Sequence, residues 1–189
     1  RSRYHAQDDQ SINGKLIKIN INSKEYEIIS MGHRNQQGLY FDKENNFILE
    51  TEHGPKGGDE INLIEVKKIN ENKIQNYGWA IVSAGEHYGG RTEKYPLYKS
   101  HSKYGFIEPL KSFVPSIAIS EIVKIKQNKY VVSSLKDKSL YFFELNQKRE
   151  IINLKRLEVF ERIRDLRFNE NKLYLFMENT ASIGIININ

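Results

Sequence analysis

Leu39-Tyr40-Phe41-Asp42, a polar stretch at 43–46, and then Phe47-Ile48-Leu49-Glu50-Thr51 form the pattern on which the fold reading turns. Short runs of aromatic and aliphatic residues on either side of a Lys/Asn-rich turn predict two antiparallel strands, because such side chains suit a pleated, half-buried surface. The same shape returns twice more. Ile125 leads through Asn128-Lys129 to Tyr130, and Arg167-Phe168 leads through Asn171-Lys172 to Leu173-Tyr174. A spacing of roughly 40 to 45 residues is that of a β-propeller blade built from four antiparallel strands.

Alternation extends outward from this pattern in both directions. Strands are predicted at 15–21, 25–30 and 60–66, and then at 116–119, 122–125, 130–135 and 140–145. Two further pairs follow, at 150–160 with 163–168 and at 172–178 with 183–188. Residues 80–112 carry Gly, Tyr, Pro, His and Lys without period and predict a long loop. No helical segment exceeds two turns and no linker divides the chain. The expectation is one all-β domain over 1–189.

A chain of 189 residues, 39 % hydrophobic and 11 % aromatic, is long enough to bury a substantial core. It has no cysteine, which excludes disulfides and thiolate metal sites. The net charge of +5 comes from 29 basic and 24 acidic residues mixed along the chain. That mixture reads as a solvated surface rather than a nucleic-acid site. No apolar run approaches the ~20 residues of a membrane span. The opening Arg1-Ser2-Arg3-Tyr4-His5 contains no signal peptide and does not read as a natural start.

Two segments carry candidate chemistry. In Glu52-His53-Gly54-Pro55-Lys56-Gly57-Gly58-Asp59-Glu60-Ile61-Asn62, Gly-Pro followed by Gly-Gly forces a tight excursion between two strands. Such a bend can aim backbone carbonyls at a hard cation, with Asp59 and Glu60 adding carboxylates on opposite sides of the next strand. An elaborate hairpin with solvated acids fits the string equally well. In Gly32-His33-Arg34-Asn35-Gln36-Gln37-Gly38-Leu39, the forked donors of Arg34 and the amide of Asn35 suit a planar anion. Alone, that string also describes a surface turn.

Taken in order, these strings, with Asn76-Tyr77-Gly78-Trp79, 115–120, Ser134-Leu135-Lys136 and Arg162-Ile163-Arg164-Asp165, resemble the glucose/sorbosone dehydrogenase family. The resemblance extends over nearly the whole chain and is strongest toward the soluble aldose sugar dehydrogenases, which use pyrroloquinoline quinone (PQQ). It implies a six-bladed propeller of which this chain forms the later four or so blades, the N-terminal blades being absent. It implies that Arg34 and Asn35 contact the quinone, and that Lys136, Arg162 and Arg164 pair with its carboxylates and polarise its oxygens. The carbonyls of Gly54 and Pro55 are implied to bind the Ca2+ that the cofactor chelates. A second Ca2+ is implied at Glu60 with the Tyr77 carbonyl, and Tyr88 is a weaker ion-site candidate.

The implied reaction is oxidation of an aldose at C1 by hydride transfer to PQQ, in the periplasm or outside the cell, with an external electron acceptor. The family's catalytic histidine lies in a Gly-rich context that His5, His33, His53, His87 and His101 do not share. No catalytic base is therefore expected here, and the chain is expected to be a fragment that is inactive alone and completed by an oligomer or a missing segment. The rival reading is a non-enzymatic propeller that binds a protein or carbohydrate. Retention of four matched cations favours the enzyme over that binder. A carboxylate-pair hydrolase is disfavoured, since adjacent Asp59 and Glu60 point to opposite faces of a strand.

Overall fold

The computed structural model describes residues 2–71, 74–88 and 97–188. The alternating segments fold as β1 (Lys15–Ile19), β2 (Tyr26–Met31), β3 (Gln36–Asp42), β4 (Phe47–Glu52) and β5 (Asp59–Glu65). A single-turn helix α1 (Val66–Asn70) leads to β6 (Gln75–Asn76) and, after the long loop, to β7 (Lys111–Phe113). Then come β8 (Ile119–Lys126), β9 (Lys129–Ser134), β10 (Ser139–Leu145), β11 (Ile151–Glu158), β12 (Ile163–Asn169), β13 (Lys172–Met177) and β14 (Ser182–Asn187).

These strands form four sheets, ordered β1-β2-β6, β3-β4-β5-β7, β8-β9-β10-β11 and β12-β13-β14. Pairing is antiparallel except for β6, which runs parallel to β2. The 43–46 turn sets the decisive hairpin, aligning Asp42 with Phe47 and Tyr40 with Leu49. Four-stranded antiparallel sheets are the blades of a β-propeller, so the fold class follows the sequence reading. The expected spacing separates β8 from β12, whereas β3 and β8 lie about twice as far apart in sequence because the long loop falls inside the β3-β4-β5-β7 sheet.

The core lies between sheets. Leu49 and Ile61 pack with Ile119, Ile122, Tyr130 and Phe143 across one gap. Val131, Leu140, Leu166 and Leu173 fill the next. Each such side chain stabilises the fold by about 1.5–3 kcal/mol relative to exposure. The strands that lead each sheet also approach closely at their starts. A Cβ on Gly38 would stand 2.7 Å from the Ser120 carbonyl oxygen, so β3 and β8 can meet there only with glycine. Thr51 Oγ1 donates to that same Ser120 carbonyl, and Ser120 Oγ donates to the Ile163 carbonyl at 2.6 Å. Three sheets are thereby pinned along one edge.

Burial falls toward the outer strands: β9 is buried along most of its length, whereas β11 is exposed along most of its own. The first and last sheets keep apolar side chains in solvent, notably Ile19, Tyr26, Ile183 and Ile185. No helix among the described residues is long and apolar enough to cross a membrane.

Three local expectations need correction. The strand predicted at 116–119 does not form before Ile119, because Ala118 takes a left-handed φ of 51°. Its carbonyl instead accepts from the Leu135 N–H at 2.8 Å. Val66 begins α1 rather than ending a strand. The loop at 80–112 includes a 3-10 turn (Ser102–Tyr104) and β7, and its residues 89–96 lie outside those described.

Candidate functional site

The residues singled out in the sequence converge on the edge where the inner strands begin. Arg34 and Asn35 immediately precede β3, and the Gly54–Pro55 bend joins β4 to β5. Lys136 sits in the β9–β10 hairpin, and Arg162 and Arg164 flank the first residue of β12. Hydrogen bonds tie these positions together. Arg34 Nη1 donates to the His53 carbonyl at 2.8 Å, and the His53 N–H donates to the Asn35 carbonyl at 2.9 Å. His53 Nε2 donates to the Ile119 carbonyl at 2.6 Å, which fixes its proton on that nitrogen. The Lys136 N–H donates to the Ile117 carbonyl at 3.0 Å, and Ile163 is held by Ser120 as above.

The charges on this edge are incompletely neutralised. Lys136 is exposed and forms no ion pair among the described residues. Arg162 and Arg164 share one carboxylate, Glu178, at 3.5 and 2.9 Å. The Arg34 guanidinium lies over the Trp79 ring with its carbon 5.4 Å from the centroid, a cation–π contact. Arg34, Asn35 and Trp79 line an open pocket of about 460 Å³ together with Arg3, Ala6 and Gly14. A large planar polyanion needs such unsaturated cations arriving from separate elements.

The bend between β4 and β5 is tight. A Cβ on Gly54 would fall 1.7 Å from the Gly58 carbonyl oxygen, so no other residue fits without moving backbone. The Gly54 carbonyl accepts no hydrogen bond among the described residues, and the Pro55 carbonyl accepts one, from the Gly58 N–H at 3.2 Å. Both retain lone pairs, which is what oxygen ligation of Ca2+ requires. The carbonyls thus fit the implied ion.

Asp59 and Glu60 are not solvated. Both are buried, and Asp59 Oδ2 accepts from the Ile119 N–H at 3.2 Å. Glu60 faces inward against Glu52, its cross-strand partner. Its carboxyl is pushed well up by burial and by the negative charge of Glu52. Tyr77 is buried too, its hydroxyl donating to the Leu63 carbonyl at 2.5 Å and its ring stacked on His33 with centroids 4.9 Å apart. Tyr88 is exposed and stands apart from these contacts.

Two residues without an assigned role in the sequence reading shape the site. Glu52 Oε2 accepts from the Arg34 N–H at 2.6 Å and so positions the loop that carries the guanidinium. Burial pushes the Glu52 carboxyl up to about 7, against the pull of backbone bonds from Arg34 and Asn35. Lys15 is buried with its ammonium donating to the carbonyls of His5, Ala6 and Asn13, which ties the N-terminal turn to the pocket. The only sequence signal for either was a charge at an inward-facing strand position.

His33 and His101 are buried, His53 is committed to the Ile119 carbonyl, and His87 Nδ1 lies 3.3 Å from Arg3 Nη1. His5 is exposed on the N-terminal turn.

Comparison with known proteins shows the family and the fold. Residues 1–186 match the family described as Glucose / Sorbosone dehydrogenase. Aldose sugar dehydrogenase YliI of Escherichia coli (strain K12) is 29 % identical over 200 residues, covering 95 % of this chain and 51 % of that protein. Quinoprotein glucose dehydrogenase B of Acinetobacter calcoaceticus is 34 % identical over 90 residues, covering 42 % of this chain and 17 % of that protein. The crystal structure of the soluble aldose sugar dehydrogenase from Escherichia coli in its apo-form superposes with a TM-score of 0.79 at 26 % identity, covering 98 % of this chain and 57 % of that one. The chain therefore spans about half the length of the aldose sugar dehydrogenase it resembles. It belongs to the glucose/sorbosone dehydrogenase family of sugar dehydrogenases.

Proposed function

We propose that this chain carries the cofactor-holding part of a PQQ- and Ca2+-dependent dehydrogenase that oxidises an aldose at C1. One observation carries the reading. The Arg34 guanidinium is hydrogen-bonded to the carbonyl next to the Gly54–Pro55 bend, on the same strand-end edge as Lys136, Arg162 and Arg164. A quinone bound there supplies the two-electron acceptor for a hydride from C1.

The chain's own residues bind and orient. Arg34, in cation–π contact with Trp79, would present forked donors to a planar oxygen-rich ring, with the Asn35 amide beside it. Lys136, Arg162 and Arg164 would hold the cofactor's carboxylates and offset their charge. The Gly54 and Pro55 carbonyls would hold Ca2+, and Glu60 with the Tyr77 carbonyl would hold a second ion. The base that takes the sugar hydroxyl proton comes from outside these residues, so the chain alone binds cofactor without turnover. The exposed Ile19, Tyr26, Ile183 and Ile185 are the faces on which the propeller closes, against further blades or another subunit.

Titration of the chain with PQQ in the presence of Ca2+, followed by quenching of Trp79, tests the reading. Saturable, Ca2+-dependent quenching that is lost in Arg34→Ala and Lys136→Ala is the expected result. Unsaturable quenching, or quenching in both variants as strong as in the wild type, would overturn it. Turnover of glucose with a dye acceptor by the chain alone would refute the assignment of the base.

A further inference from the structure

Beneath the Arg34 loop lies a group of buried polar side chains of which only Glu52, through the Arg34 N–H, takes part in the proposed cofactor site. The register of β4 with β5 places Glu50 opposite Asn62 and Glu52 opposite Glu60. The face carrying Glu50 and Glu52 is closed by the His33 ring. His33, Glu50 and Asn62 are at most 1 % exposed, and Glu52 is 3 % exposed. His33 Nδ1 stands 3.7 Å from Glu50 Oε2 and 3.9 Å from Glu52 Oε2, and the three ligand atoms lie within 4.8 Å of one another.

The hydrogen bonding around this group is incomplete. Asn62 Nδ2 donates to Glu50 Oε2 at 3.1 Å and reaches Glu52 Oε1 at 3.4 Å, while the Arg34 N–H serves Glu52 Oε2. His33 Nε2 is engaged with Ser30 Oγ at 2.8 Å, which turns Nδ1 toward the carboxylates. After these bonds, His33 Nδ1, Glu50 Oε1 and Asn62 Oδ1 have no partner. With the proton on Nε2, all three are buried lone-pair donors that no hydrogen bond satisfies. Buried acceptors left unpaired are costly, and negative charge there more so. Lys15, whose charge reaches His33, spends its own hydrogen bonds on backbone carbonyls.

We propose that His33 Nδ1, Glu50 and Glu52 form a binding site for a first-row divalent cation of the Mn2+ or Zn2+ class. An imidazole nitrogen with two carboxylates is a ligand set that such ions accept, whereas Ca2+ prefers oxygen throughout. An ion about 2.1 Å from each atom fits between ligands separated by the observed 3.7 and 3.9 Å. Ser30 supplies the outer hydrogen bond that orients a ligating imidazole. The Tyr77 ring stacked on His33 shields the site from water. The ligands differ from Gly54, Pro55, Glu60 and Tyr77, but Glu52 also holds the Arg34 N–H, so metal content rather than PQQ affinity is the readout that separates this site from the quinone reading.

Because the site is buried, the intact protein should be refolded from denaturant with Mn2+, Zn2+ or Ca2+, and its metal content measured after gel filtration. About one equivalent of Mn2+ or Zn2+ is expected in the wild type, falling below about a tenth in Glu50→Leu and in His33→Phe and persisting in Glu60→Gln. His33→Phe keeps the ring contact with Tyr77, so it serves if Glu50→Leu does not fold. Co2+ loading gives a second readout, a visible absorption band present in the wild type and absent from both ligand variants. The proposal is overturned if the wild type retains no Mn2+ or Zn2+, which is the result that shared protons alone would give. Metal retained by both ligand variants, or lost only in Glu60→Gln, overturns it as well.

Discussion

The Arg34 guanidinium donates a 2.8 Å hydrogen bond to the His53 carbonyl, which locks the loop that precedes β3 to the peptide that enters the Gly54–Pro55 bend. Two segments separated by a hairpin thus behave as one surface. Arg34→Ala should weaken PQQ binding by about 10- to 100-fold, the loss typical of a charge-assisted hydrogen bond. Arg34→Lys should recover only part of it, since an ammonium lacks the fork. Equal affinity for wild type and Arg34→Ala in a fluorescence titration would remove Arg34 from the site.

Trp79 is the chain's single tryptophan, and its ring carries the Arg34 charge. Its emission in the free protein should therefore shift in Arg34→Ala and stay unchanged in Lys136→Ala. Identical spectra for all three proteins would show that the cation–π contact is not populated in solution.

Lys136 is exposed and forms no ion pair among the described residues, so its removal should be nearly silent in stability. Lys136→Ala is expected to change the free energy of urea unfolding by less than about 0.5 kcal/mol while lowering PQQ affinity. A large stability loss with unchanged affinity would mark Lys136 as a structural residue instead.

Thr51 Oγ1 accepts from the Gly38 N–H at 2.9 Å and donates to the Ser120 carbonyl, in a fully buried position. Thr51→Val keeps the volume but strands that N–H, at a cost of about 1–3 kcal/mol. Urea unfolding checks it, and a stability equal to wild type would mean that the sheets are held together without this bridge.

Asp42 accepts from the Tyr130 hydroxyl at 2.5 Å, from Asn45 and from the Lys124 ammonium at 3.1 Å. Burial pushes its carboxyl up, but the bonds from Tyr130, Asn45 and Lys124 outweigh that and hold it below the ordinary range. The unfolded chain therefore takes up this proton first as pH falls. The stabilisation is present above about pH 4 and is lost as pH drops through the lower folded value. Asp42→Asn should be less stable at neutral pH and show a flatter acid limb. Unfolding curves at about pH 3 to 6 decide it, and parallel limbs would discount the contribution.

Much of this protein was legible in one dimension. Alternation and Asn/Lys turns placed nearly every strand, because a half-buried strand and a tight turn impose their residue types locally. The Gly-Pro-x-Gly-Gly string announced the bend at Gly54, where only glycine clears the Gly58 carbonyl. The strand expected at 116–119 failed because the left-handed turn at Ala118 answers to the β9–β10 hairpin rather than to its own side chains. Only the folded chain decided which remote groups meet. Glu52 under Arg34, Ser120 between Thr51 and Ile163, and His33 over Glu50 are contacts between strands or loops from different parts of the chain. Period-two alternation says which face a side chain takes, but what lies opposite is set by how the sheets stack, and that information is not local.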